Sequence, residues 1–227
     1  MKLITGREVK GLFVKDNFFT KKQFVEVREW AKDHIRSGLG CGYKTGLSPN
    51  KFVSASLNVK FPPTTASPAE KLYDINMCGK PEDIIIKKVY KLLEPLKLQC
   101  LGQTDTARNE VNKKDFEITD ITFDIHSTHN KNTAQLYNLD WHQDPTTSLA
   151  FLIYIHDVWE DDWGGDYIWS KQVGIQTDPD LDPEKFQTGG IIKCKPNRII
   201  IDTININHKL SPINTESERM AIHGWAW

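Results

Sequence analysis

The sequence has none of the features that are typical of membrane, secreted or nucleic-acid-binding proteins. No stretch approaches the roughly 20 consecutive apolar residues that a membrane-spanning helix needs, and the N-terminal MKLITGREVKG has no apolar run like that of a signal peptide. A formal net charge of −1 gives no reason to expect a nucleic acid or an anionic membrane as partner. The four cysteines are scattered and form no C-x-x-C pair: Cys41, Cys78, Cys100 and Cys194. We therefore expect free thiols in a soluble, cytoplasmic protein.

A chain of 227 residues can form one well-buried core, and it shows no internal repeat or linker. We predict a single domain, 1–227, in which 1–115 supports a core formed by 116–227. In the first part, Thr20 and Gln23 form a capping-box pattern before a helix at about 21–36. A second amphipathic helix is predicted from Pro81 to Leu93, and a short one at about 67–76, whereas 38–55 is typical of a loop.

Most of the predicted strands lie in the second part of the chain. They are rich in β-branched and aromatic residues, and no helix-length pattern separates them, which argues against a parallel βαβ sheet. The pattern favours an α+β, mainly β fold whose core is an antiparallel double-sheet jelly roll. The predicted strands of the whole chain are 11–18, 57–61, 116–126, 149–156, 191–195, 198–206 and 219–227.

A candidate metal site begins in the segment LDWHQDP (139–145). In an extended chain, His142 and Asp144 project on the same face and can reach one cation. His208, just past an apolar strand, supplies a third ligand. Two imidazoles and one carboxylate leave three coordination positions open, which suits Fe(II) in an oxygenase. On its own the pattern is weak, because H-x-D also arises by chance as a surface pair in a chain with seven histidines.

Arg219 sharpens this interpretation. It stands at the start of a strand pattern, and we expect it to enter the barrel beside His208. A co-substrate that chelates a metal with one carboxylate needs a cation for its other carboxylate, and arginine supplies a permanently charged fork. The competing interpretation is a surface ion pair with Glu216 or Glu218.

With these residues in place, the last 90 or so residues resemble the catalytic core of the 2-oxoglutarate/Fe(II) dioxygenases, especially the prolyl 4-hydroxylase-like branch. Six segments match in the family's order and at nearly its spacings. They are WHQD (141–144), YIHDVW (154–159), WGGDY (163–167), PNRIIID (196–202), NHKLSP (207–212) and RMAIHGW (219–225).

The resemblance implies a double-stranded β-helix and an enzyme that couples decarboxylation of 2-oxoglutarate, to succinate and CO₂, with hydroxylation of an unactivated C–H bond. It implies that His142, Asp144 and His208 bind Fe(II) and are the catalytic residues, and that Arg219 and Tyr154 bind the distal carboxylate of 2-oxoglutarate. O₂ is the second co-substrate, and ascorbate is implied as a reductant. A tyrosine in an apolar run is also compatible with a plain core role.

The substrate is the least determined feature of the sequence. The resemblance favours a protein or peptide residue such as proline, and a small molecule is the alternative. His156 stands where the branch usually has asparagine, and Arg219 where many collagen-type enzymes have lysine. A non-catalytic jelly-roll binding protein and a zinc hydrolase are further alternatives, since two histidines and a carboxylate also bind zinc.

Other conspicuous residues receive structural interpretations. Gly164 and Gly165 are predicted to form a turn or bulge, and four tryptophans (141, 159, 163 and 169) to pack around the mouth of the site. Asp202 and His223 are interpreted as satisfied polar residues, and His126 and His129 as loop residues. Two polar stretches, 126–133 and 176–187, are candidates for mobile flaps.

Overall fold

The computed structural model describes residues 2–3, 11–37, 53–60, 81–93, 95–96, 120–128, 141–144, 149–170, 187–203 and 206–226. The short helix predicted at about 67–76 lies outside these residues, as does most of the loop predicted at 38–55.

Among the described residues, two of the predicted helices are present. Helix α1 spans Lys21–Ser37 and α2 spans Pro81–Leu93. The predicted capping box is present, because the Gln23 amide donates to Thr20 Oγ1 and the Thr20 amide donates to Gln23 Oε1, both over 3.3 Å. Neither helix has the length and apolar character that crossing a membrane would require.

All strands of the described residues pair in the antiparallel direction. The strands are β1 (Lys2–Leu3), β2 (Leu12–Lys15), β3 (Val53–Lys60), β4 (Asp120–Thr128), β5 (Leu149–Tyr154), β6 (Tyr167–Ser170), β7 (Thr188–Ile192), β8 (Ile199–Asp202), β9 (His208–Leu210) and β10 (Arg219–Ala226). They form a large sheet in the order β1-β2-β8-β5-β10-β4-β3 and a small sheet in the order β7-β6-β9. The predicted α+β, mainly β jelly roll with N-terminal helices is confirmed.

Several strand bounds differ from the predictions. Strand β3 begins at Val53, inside the predicted loop, and β7 begins at Thr188, before the predicted 191–195. Strands β6 and β9 were not predicted, since four and three residues are too few for a periodic pattern. Their hydrogen bonds come from strands distant in sequence.

Strand β5 of the large sheet is buried along its whole length, which explains why it is a continuous apolar run. Successive side chains of a strand point to opposite faces. Phe151 and Ile153 therefore pack in an outer core with both helices, whereas Leu152 and Tyr154 lie in an inner core that the small sheet also contributes to. The candidate site lies on this inner face.

Asn197 attaches the N-terminal segment to the barrel. Its backbone is left-handed, with φ of 60°. Its side-chain amide makes two hydrogen bonds with the backbone of Phe19: Oδ1 accepts from the Phe19 amide over 2.7 Å, and Nδ2 donates to the Phe19 carbonyl over 2.9 Å. Next to it, Arg198 donates through Nε and Nη2 to both oxygens of Asp16, over 2.6 and 3.0 Å. The PNR motif thus fixes the segment that leads into α1.

Candidate metal centre

The structure brings together the three residues that the sequence singled out as metal ligands. One ligand atom from each of His142, Asp144 and His208 lies within 4.8 Å of the others. The backbones of the two histidines form an antiparallel bridge, with N–H···O distances of 3.0 and 2.9 Å in the two directions. This bridge joins two segments distant in sequence and holds the two imidazoles close together, with ring centroids 4.3 Å apart.

His208 has the protonation state that a metal ligand needs. Its Nδ1 lies 2.9 Å from the Ile206 carbonyl oxygen, which can only accept, so Nδ1 carries the proton and Nε2 keeps its lone pair. Burial lowers the pKa of His208 to about 4, and the charge of Asp144 opposes this shift only in part. The imidazole is therefore neutral at neutral pH and can coordinate a metal without first losing a proton.

Asp144 is held as a carboxylate although it is buried. Burial alone would raise its pKa, but a hydrogen bond and the charge of His223, followed by the charges of His208 and His142, lower the pKa well below its usual range. The His223 Nε2 atom lies 3.5 Å from Asp144 Oδ2. The contact of His223 with Asp144 is of the kind that orients metal-binding carboxylates.

A cavity of about 430 Å³, measured to its open mouth, lies over the three candidate ligands. The polar side chains of its lining are His142, Asp144, Tyr167, Asp202, His208 and His223.

Arg219 and Tyr154 lie on the same inner face of the large sheet but do not line the cavity. Arg219 is 5% exposed, and its guanidinium carbon lies 5.3 Å from the centre of the Tyr154 ring. Such burial does not fit the surface ion pair considered from the sequence. The Nε and Nη2 atoms of Arg219 have no hydrogen-bond partner among the described residues. The Tyr154 hydroxyl donates to the Gly165 carbonyl oxygen over 3.2 Å.

Three buried side chains near Arg219 are uncharged at neutral pH. Burial lowers the pKa of His156 to about 3, and the charge of Arg219 lowers it further. Burial raises the pKa of Cys194 to about 12, against the opposing effect of Arg219, and burial also raises that of Tyr154. A buried guanidinium with unpaired donors and neutral neighbours is destabilising unless an anion accompanies it. The arrangement therefore fits a bound carboxylate.

Solved structures that are similar to this chain share one fold. A prolyl hydroxylase of Trichoplax adhaerens, in complex with a hypoxia inducible factor oxygen degradation domain peptide fragment, is 15% identical, with a TM-score of 0.52 over 96% of this chain and 83% of that one. The 2-oxoglutarate complex of dioxygenase for auxin oxidation 1 from Arabidopsis thaliana is 14% identical, with a TM-score of 0.54 and the same coverages. This is the 2-oxoglutarate dioxygenase fold.

A third structure extends the likeness. AviO1 from Streptomyces viridochromogenes is 10% identical, with a TM-score of 0.56 over 97% of this chain and 91% of that one. No protein-family model matches the chain, and no curated protein sequence does either. The double-stranded β-helix fold that the resemblance of the six segments implies is thus confirmed.

In this dioxygenase fold, Gly164 and Gly165 make room for two different neighbours. Both have positive φ, 78° and 70°. A Cβ on Gly164 would lie 1.8 Å from the Pro212 carbonyl oxygen, whereas one on Gly165 would lie 2.9 Å from Cδ of Arg219. The predicted turn is therefore also a packing surface for Arg219.

Three cavity residues were missed as site residues or interpreted as merely structural: Tyr167, Asp202 and His223. A signal for His223 exists, because it lies four residues after Arg219 on the same strand and thus on the same face. Asp202 accepts a hydrogen bond from the Ile206 amide over 2.8 Å, but it also faces the cavity.

The tryptophans match their predicted packing role where the structure describes them. Trp159 donates through Nε1 to the Gly164 carbonyl over 2.8 Å and meets Trp163 edge-on at 5.4 Å. Trp169 covers the backbone of Gly189 and Gly190, where any Cβ would touch its ring. The prediction of a loop at His126 is wrong, because residues 126–128 belong to strand β4. His129 and the rest of the two predicted flaps, apart from residue 187, lie outside the described residues.

Proposed function

We propose that this chain is an Fe(II)- and 2-oxoglutarate-dependent dioxygenase that hydroxylates an unactivated C–H bond. One observation carries the proposal: two histidines and a carboxylate meet on the inner wall of a dioxygenase fold in which a buried arginine has two unpaired N–H donors.

The donor set fits Fe(II). His142 and His208 offer imidazole nitrogens, and Asp144 offers an anionic oxygen, so that three protein ligands leave three positions for other molecules. When bound, iron together with 2-oxoglutarate and O₂ supplies the oxidative decarboxylation and the hydroxylation. The protein's task is to hold the two rings and the carboxylate in place, which the backbone bridge and the His223 contact support.

The unpaired atoms of Arg219 fit the distal carboxylate of 2-oxoglutarate. Nε and Nη2 of a guanidinium point in parallel and match the two oxygens of a carboxylate. Tyr154 is proposed as a second contact, with its hydroxyl turning from the Gly165 carbonyl to the carboxylate. The neutral side chains of His156 and Cys194 would leave the whole charge of Arg219 to the co-substrate.

For the substrate we propose a protein or peptide residue such as proline. The prolyl 4-hydroxylase-like motifs support it, and one structure of this fold is a prolyl hydroxylase bound to a peptide fragment. A small molecule is the second candidate, because another protein of the same fold is a dioxygenase for auxin oxidation. Ascorbate is proposed as reductant, the cytoplasm as compartment, and 1–227 as one domain with its catalytic core at 116–227.

Anaerobic titration with Fe(II) and 2-oxoglutarate, followed in the visible spectrum, tests the proposal. A weak charge-transfer band that needs both components is expected for the wild type. Asp144→Ala should lose the band and the iron affinity while remaining folded. Asp161→Ala removes an exposed carboxylate and should keep both.

Two results would decide against this function. A wild type with no band, and no thermal stabilisation by either component, would favour the non-catalytic or zinc alternatives. A band that persists in Asp144→Ala would remove this carboxylate from the metal site. If the band is present, formation of succinate in the presence of candidate peptides and small molecules identifies the substrate.

A further inference from the structure

Tyr167 is a buried residue of the cavity wall, and its hydroxyl is unpaired. The side chain is 4% exposed, and the hydroxyl oxygen has no hydrogen-bond partner in the described part of the chain. A buried O–H without an acceptor destabilises a folded protein, and natural structures contain few. A donor left in this condition on a cavity wall indicates a missing acceptor.

The position of the ring connects Tyr167 to the candidate metal centre. Strand β6 pairs with β9, so that Tyr167 stands opposite Leu210 and diagonal to His208. The phenol ring stacks on the His208 imidazole, with centroids 4.7 Å apart and planes inclined by 17°. Whatever His208 binds through Nε2 is therefore bound beside the Tyr167 ring.

The hydroxyl is a neutral donor. Burial raises the pKa of Tyr167 well above its usual value, and the nearby carboxylates of Asp202 and Asp144 raise it further. Neither carboxylate accepts a hydrogen bond from Tyr167, so the proton is available to another acceptor.

Tyr154 relates this donor to Arg219. It contacts the Arg219 guanidinium, and it lies in the same inner core cluster as Tyr167. The unpaired donors of Arg219, on β10 of the large sheet, and of Tyr167, on β6 of the small sheet, thus adjoin the same inner core. Donors from both sheets, together with the metal triad that lines the cavity with Tyr167, suit an acceptor with several oxygens.

We propose that Tyr167 is a co-substrate-binding residue, whose hydroxyl donates a hydrogen bond to a carboxylate oxygen of the 2-oxo dicarboxylic acid held at the metal triad. This inference rests on the proposed function and adds to it a contact from the small sheet. Tyr154, by contrast, already donates to the Gly165 carbonyl, so before the ligand binds one hydroxyl is paired and the other is not.

Tyr167→Phe tests the inference, because it removes the hydroxyl and keeps the ring on His208. Three quantities are measured: thermal stability without ligands, affinity for Mn(II), and affinity for 2-oxoglutarate in the presence of Mn(II). We expect the melting temperature of the ligand-free protein to rise, since an unpaired buried donor is gone. We expect Mn(II) affinity to change less than twofold and 2-oxoglutarate affinity to fall roughly tenfold, as for the loss of one buried hydrogen bond.

Two control variants separate this role from a structural one. Tyr154→Phe removes a hydroxyl that is already paired, so the ligand-free protein should become less stable. Tyr90→Phe removes a phenol from the outer core, on the other face of the large sheet, and should leave 2-oxoglutarate affinity unchanged.

Opposite signs for stability and affinity are the signature of a binding donor. The inference is overturned if Tyr167→Phe binds 2-oxoglutarate as the wild type does, or if its ligand-free form loses stability as Tyr154→Phe does. In both cases a wild type that binds 2-oxoglutarate with Mn(II) leaves the proposed function intact. A wild type that does not bind 2-oxoglutarate overturns both.

Discussion

Replacement of Gly165 by alanine should damage co-substrate binding from a position that contacts no ligand. Gly165 has φ of 70°, and its Cα faces the Arg219 side chain. A Cβ there would lie 2.9 Å from Cδ and 3.1 Å from Nε of Arg219, and 3.5 Å from the Trp159 ring. Only the contacts with Arg219 are too close, so Arg219 is the side chain that the added methyl group would displace.

The magnitude follows from two effects. A left-handed backbone costs a residue with a Cβ about 1–2 kcal/mol, which for a chain of this length lowers the melting temperature by about 3–6 °C. Separately, Arg219 must retreat by about half an ångström to regain ordinary contact. Since a displacement of about 1 Å in a binding group can cost roughly a hundredfold, we expect 2-oxoglutarate affinity to fall about tenfold.

The assay measures 2-oxoglutarate affinity with Mn(II) in the site, together with thermal unfolding. Asn17→Ala is the matched control for backbone strain. It also places alanine at a left-handed position, φ 52°, but on an exposed turn. It should lose stability and keep its affinity. If Gly165→Ala binds 2-oxoglutarate as tightly as the control does, Arg219 is not the co-substrate's counterion or is not constrained by Gly165.

Three further outcomes are expected. His223→Leu should weaken Mn(II) binding about tenfold, as other losses of an outer contact to a metal ligand do, while His223→Gln, which keeps a donor for Asp144, should recover most of it in the same titration. Asn197→Ala should lower the free energy of unfolding in urea by about 2 kcal/mol, because two hydrogen bonds are lost. Asn197→Gly should lower it by less, because glycine adopts the left-handed backbone without strain. Co-substrate affinity should not change in either variant. Burial gives His156 a folded-state pKa of about 3, below the unfolded value of about 6.5, so acid favours the unfolded chain and stability falls as pH drops below 6.5. His156→Asn should therefore remove about 2 kcal/mol of the stability that the wild type loses between pH 7 and 5, as measured by urea unfolding. An equal loss in both proteins would contradict the burial of a neutral His156.

The parts of the fold that depend on local chemistry were predictable from the sequence. Helix α2 has the predicted bounds, because proline, amphipathic spacing and the apolar stripe all act within a few residues. Strands β6 and β9 were not predicted, because their partners lie elsewhere in the chain and each has too few residues to show alternation.

The same distinction holds for the candidate site. His142, Asp144, His208 and Arg219 belong to motifs with recognisable order and spacing. The bridge between the two histidines, the stacking of Tyr167 and the space left by Gly165 are products of packing between two sheets. No pattern of neighbouring residues encodes such contacts, so they required a three-dimensional structure.

The attachment of Phe19 to Asn197 has a consequence for how the chain is made. These residues are 178 positions apart, and strand β2, which ends shortly before Phe19, pairs with β8, which begins shortly after Asn197. During synthesis, residues 11–19 leave the ribosome long before Asn197 and β8 exist, and α1 then has no complete sheet to cover. Folding with such distant contacts is slow. We therefore expect a truncated fragment that ends before 197 to expose its apolar faces and aggregate.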